Sequence, residues 1–170
     1  MPGGEACLLD SNILLRISKS DDPQHAAISY ALHALVGHGV RLCYTSQTLA
    51  EFWNASTRPL DKNGLGLSVA ETDRLARVIE RDFEFLPDSR EVHDRWRSLL
   101  VAHNIQGVQV HDARLAARSV SENSSLLLLN SLEKECKCVR IIWNHGETIP
   151  NLPSRTRYAF TSEPARMVAG

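Results

Sequence analysis

Three acidic residues stand where an alternation of strands and helices would bring carboxylates to one edge of a sheet: Asp10, Glu51 and Asp112. Asp10 closes Cys7-Leu8-Leu9, a run whose residue types predict a short buried strand. Glu51 falls in the second turn of a helix that Thr45 or Ser46 caps, after a second short strand, Arg41-Leu42-Cys43-Tyr44. Asp112, preceded by His111, opens a helix late in the chain. Any one of these acids alone reads as a turn residue or a solvated helix residue. Gathered together they repel, and each raises its neighbour's pKa unless a cation is shared. Oxygen-only ligands select hard ions, Mg²⁺ or Mn²⁺, over zinc. Such an ion activates water and offsets charge on a phosphodiester, the chemistry of metal-dependent nucleases.

The elements that must position these acids follow from the periodicity. Asp21-Asp22-Pro23 starts a helix whose apolar face is Ile28, Leu32, Leu35 and Val36, ending near Gly37 or Gly39. Ser68 and Glu71 have capping-box spacing for a helix through about Phe83, and Glu84-Phe85-Leu86 reads as a strand. Ser89 caps a helix carrying Val92, Trp96, Leu99 and Leu100. The helix opened by His111-Asp112 runs through Leu115, Ala116 and Val120, before Leu126-Leu127-Leu128-Leu129-Asn130 supplies the plainest buried strand. Strands alternating with helices of this length predict an α/β fold, a central parallel sheet flanked by helices on both faces. In such open sheets ligands gather beyond the carboxyl ends of the strands.

Composition bounds the rest. With 170 residues and 43% hydrophobic content the chain can bury one sizeable core, expected within residues 1–143, with 144–170 as an irregular tail. No apolar run approaches the roughly 20 residues of a spanning helix, and Met1-Pro2-Gly3-Gly4-Glu5 lacks a positive n-region, so a cytoplasmic protein without membrane attachment is expected. Cys7 and Cys43 sit in strand-like runs and are expected reduced; Cys136 and Cys138, with His145, lack the second ligand pair of a zinc site. Nineteen Lys and Arg against twenty Asp and Glu give no overall basic field, so a polyanion partner needs a local patch. Arg114 and Arg118, one helical turn apart, could both point at a phosphate or could both be solvated.

At this point the chain resembles a known family. Leu8-Leu9-Asp10-Ser11-Asn12-Ile13-Leu14-Leu15 looks like the opening of a PIN domain, a hydrophobic strand, then D-[ST]-N and another hydrophobic run. Thr45 to Trp53 is similar to its second signature, and Val110-His111-Asp112-Ala113-Arg114-Leu115-Ala116-Ala117 to its third. The order and separations suit the bacterial VapC-like toxins of this family, over roughly residues 7 to 133.

The resemblance implies an Mg²⁺- or Mn²⁺-dependent ribonuclease acting on RNA, restrained by a cognate antitoxin and commonly a homodimer. Asp10, Glu51 and Asp112 would be the metal-binding, catalytic acids. Asn12 would orient Asp10 or a bound water, Ser46 would support the ligands, and His111 would cap or pack rather than move a proton. Glu133 stands near the place of the family's fourth acid, as a supporting carboxylate, without the usual Asp-Phe. From Trp143 onward nothing resembles the family. The alternative expectation is a non-catalytic, protein-binding PIN-like scaffold with an incomplete acidic site.

Overall fold

The computed structural model describes residues 6–107, 109–121, 126–132 and 135–141, with side chains for 6–107 and 109–118. Glu133, the tail 144–170 and the Cys136, Cys138 and His145 side chains lie outside the described residues.

The strands are β1 (Ala6–Leu9), β2 (Arg41–Thr45), β3 (Glu84–Leu86), β4 (Leu126–Leu132) and β5 (Glu135–Ile141), ordered β3-β2-β1-β4-β5 in one sheet. The pairings β1/β2, β1/β4 and β2/β3 are parallel, and β5 adds antiparallel to β4, an edge strand the sequence pattern did not predict. Among the described residues, six α-helices connect or flank them: α1 (Ser11–Ile17), α2 (His25–Gly37), α3 (Ser46–Thr57), α4 (Val69–Asp82), α5 (Arg90–Ala102) and α6 (Gln109–Ser121).

All four residues of β1 are buried, which requires helices on both sides of the sheet. Alternation along the strand sorts its side chains. Cys7 and Leu9 join Leu42, Tyr44, Ile13, Leu14, Ile28, Leu32, Phe52, Ala76 and Ile79 in a core built with α1 to α4. Ala6 and Leu8 face the other way, against Cys43, Leu86 and Leu115 of α6. The expected α/β architecture is therefore the observed one. Cys7 and Cys43 are buried.

Local signals account for the helix ends. Ser68 and Glu71 form the reciprocal box at α4, and the Ser89 hydroxyl accepts from the Val92 N–H at α5. Helix α2 ends at Gly37, and Gly39 takes φ 79°, the left-handed conformation that costs glycine least, to turn into β2. Within α2, Ile28 and Leu32 are buried as expected, whereas Val36 is exposed. Helix α1 was not foreseen: it has seven residues and follows Asp10 without a loop.

Candidate active site

The parallel strands end where α1 and α3 begin, so the loopless β1–α1 and β2–α3 junctions bring Asp10 and Glu51 to one side of the sheet. Asp10 occupies the N-cap of α1 in extended backbone, and its side chain does not cap the helix. The carboxylate is engaged elsewhere. Ser11 Oγ lies 3.2 Å from Asp10 Oδ1 and 2.9 Å from Glu51 Oε2, and Asn12 Nδ2 donates to Asp10 Oδ2 at 3.4 Å. One serine hydroxyl thus stands between two carboxylates from different segments.

Glu51 is held from the other side by Gln47, whose Nε2 donates to Oε1 at 2.9 Å and also reaches the backbone carbonyl of His111 at 3.4 Å. His111 Nδ1 is 4.0 Å from the same Glu51 oxygen. These contacts tie α3 to the first turn of α6, where Asp112 lies.

Electrostatics couple the acids. Burial pushes the Asp10 carboxyl above its ordinary pKa, the Ser11 hydroxyl and N–H pull it down, Glu51 pushes it up and Asn12 opposes. Asp112 is exposed as a whole residue, yet lost hydration around its carboxyl is the largest cause that raises its pKa; repulsion from Glu51 adds to it and His111 opposes. Glu51 is therefore the acid that both others feel.

Among the described residues, no group of three or more His, Cys, Asp or Glu side chains is arranged to hold a metal ion. The expected three-acid cage is not preassembled there. Asp10 and Glu51 form a hydroxyl-bridged pair, and Asp112 is linked to Glu51 through charge. This donor set still fits a hard cation: every candidate ligand atom is a carboxylate oxygen, and Mg²⁺ is commonly bound through one or two carboxylates plus substrate phosphates while keeping several waters.

The other expected residues fall as follows. Asn12 lies beside Asp10, to which its amide donates. Ser46 does not join the acids. Thr45, not Ser46, caps α3, in a reciprocal box with Thr48, which leaves Ser46 exposed in a groove with Tyr44, Leu49, Ala50, Trp53, Glu80 and Phe85. His111 is not a cap, because α6 starts at Gln109; it is exposed. The two arginines serve the loop after β3. Arg114 pairs with Asp88 and lies over the Trp96 ring, 5.5 Å from its centroid, and Arg118 is 5% exposed and donates to the Pro87 carbonyl. A buried guanidinium bound to its own chain is not placed to receive a phosphate, and it is not solvated either.

Sequence reasoning missed Ser11 and Gln47. Ser11 sits inside the D-S-N motif; Gln47 lies one turn before Glu51, the spacing at which helical side chains meet.

The family model for the PIN domain matches residues 7–156, a span that contains all three acids. The chain belongs to the PIN domain family. Its PIN fold is similar to that in the crystal structure of VapBC2 from Rickettsia felis bound to a DNA fragment from their promoter, with 17% identity and a TM-score of 0.52 over 71% of this chain and 84% of that one. It is also similar to VapC20 of Mycobacterium tuberculosis, a sarcin-ricin loop cleaving toxin, with 12% identity and a TM-score of 0.52 over 70% and 85%. At these identities the likeness shows the PIN fold. None of the curated proteins matches the chain.

Proposed function

We propose that the chain is a metal-dependent endoribonuclease and the toxin of a toxin-antitoxin pair. The observation that carries this reading is the Ser11 bridge. It gathers Asp10 and Glu51, 41 residues apart in sequence, at the end of the parallel strands, with Asp112 coupled to Glu51. Asp10, Glu51 and Asp112 would hold Mg²⁺ or Mn²⁺, which when bound supplies charge compensation and an activated water. The chain's own residues prepare that seat. Ser11 and Asn12 orient Asp10, Gln47 orients Glu51, and burial keeps the Asp10 carboxylate poorly hydrated, so it gains by meeting a cation. PIN domains generally use divalent metal ions, which supports the same choice.

The relatives support the partners. The Rickettsia structure is of VapBC2 and the mycobacterial protein is a sarcin-ricin loop cleaving toxin, which supports proposing an antitoxin protein and an RNA substrate here, with a homodimer as the working assembly. No helix among the described residues is long and apolar enough to cross a membrane. A cytoplasmic site of action fits an RNA substrate, and the domain is proposed to end near residue 143.

The test is RNA cleavage with Mg²⁺ or Mn²⁺, comparing the parent with Asp10→Asn. Equal cleavage by both sinks the nuclease reading. A second reading, a non-catalytic binding scaffold, is favoured by the lack of a preassembled three-ligand group among the described residues. Metal binding without cleavage by the parent would select it.

A further inference from the structure

We infer that Gln47 is a positioning residue that joins Glu51 to the helix carrying Asp112, an inference that rests on the metal-dependent reading above. Gln47 sits one turn before Glu51 on α3, half-buried, with Nε2 2.9 Å from Glu51 Oε1 and 3.4 Å from the His111 carbonyl oxygen, 64 residues further along the chain.

A side-chain amide nitrogen carries two hydrogens, so one nitrogen serves both acceptors at once. The orientation is dictated by chemistry. The reversed amide would set its carbonyl oxygen against a carboxylate and a second carbonyl, neither of which can donate.

His111 approaches the same Glu51 oxygen at 4.0 Å, but its side chain is 63% exposed and it attracts a carboxylate only when protonated. The amide donates whatever the protonation state, and it contacts both elements. Ser11 fixes Oε2 of Glu51 and Gln47 fixes Oε1, so the carboxylate is held at both oxygens by residues that carry no charge. Without Gln47 the Glu51 side chain loses its hydrogen bond at Oε1 and the first turn of α6 loses its hydrogen bond to α3. Gln47 would act on a cation through Glu51, without touching it.

The experiment titrates Mn²⁺ calorimetrically into the full chain and follows amide hydrogen exchange over the first turn of α6, in the parent, Gln47→Met and Gln47→Ala. Methionine keeps the length and packing of the side chain without its donors, and alanine is the best helix former, so two independent variants guard against a failure to fold. The expected result is Mn²⁺ affinity lower by about 10-fold, the lower end of the loss when supporting partners of metal ligands are removed. Faster exchange at the start of α6 and a melting temperature close to the parent's should accompany it. A folded variant that binds Mn²⁺ as tightly as the parent overturns the inference alone. A parent that takes up no Mn²⁺ overturns the metal-dependent reading and this inference with it.

Discussion

Ser11 and Glu51 are joined by a 2.9 Å hydrogen bond across forty residues of sequence, and the same hydroxyl lies 3.2 Å from the Asp10 carboxylate. A hydroxyl has one proton to give, so it cannot donate fully to two ionised carboxylates at once. It nevertheless separates them and supplies the one neutral group between them. Ser11→Ala should therefore leave the poorly hydrated Asp10 carboxylate facing Glu51 without a mediator. Hydrogen bonds to charged groups contribute about 1.5–3 kcal/mol, and partial exposure here points to the lower end. Melting in chelator should show a Tm lower by several degrees; an unchanged Tm would mean that water replaces the hydroxyl without cost.

The pH dependence of metal-free stability follows from Asp10. Burial, with repulsion from Glu51, sets its folded pKa above the ordinary 3.8. As pH rises, the unfolded chain loses that proton first, so it binds fewer protons than the folded chain and stability falls with pH. The fall begins near the ordinary carboxylate value and levels off above the raised folded one. Asp112 carries the same sign. Asp10→Asn removes the ionisation and should melt higher than the parent at neutral pH in chelator. That advantage should shrink to nothing below the ordinary carboxylate pKa. Parallel Tm profiles for the two proteins across this range would show that Asp10 is not the group responsible.

Divalent metal should reverse that handicap. A ligand that binds only the folded chain stabilises it by about 2.7 kcal/mol at one hundred times its dissociation constant. For a chain of this size each kcal/mol corresponds to a Tm shift of about 2–4 °C. Mn²⁺ or Mg²⁺ should thus raise the parent's Tm at neutral pH, less so in acid, and should leave Asp10→Asn nearly unmoved. An equal rise in both proteins would locate the metal away from Asp10.

Much of this was legible because local chemistry decided it. The Ser68 box, the Ser89 cap and the turn at Gly39 follow from residue type alone, and the buried strands from unbroken apolar runs. What failed depended on choosing between neighbours. Once Thr45 is the cap, about 100° of turn per residue leaves Ser46 on a different face of α3 from Glu51, while Gln47, one turn away, shares it. The sequence allowed either cap, and so the supporting role fell on the wrong residue. Helix α1 escaped notice because seven residues without an acidic first turn or an intervening loop carry few start signals. The reach from Gln47 to the His111 carbonyl is a tertiary contact that no spacing encodes.

The arginines show the same limit and give a test that separates structure from substrate. Helical spacing put Arg114 and Arg118 on one face of α6 but could not say what that face meets. It meets the loop after β3, where Arg118 is buried against the Pro87 carbonyl and Arg114 pairs with Asp88 at half-exposed positions. Arg118→Met removes a buried guanidinium and its charge-assisted hydrogen bond to the Pro87 carbonyl, a loss of about 1.5–3 kcal/mol. Arg114→Ala removes a partly exposed ion pair and a cation–π contact, each about 1 kcal/mol or less. Arg118→Met should accordingly lower Tm more than Arg114→Ala does. If Arg118→Met instead kept the parent's Tm and raised only KM for RNA, the phosphate-binding expectation for this residue would be reinstated.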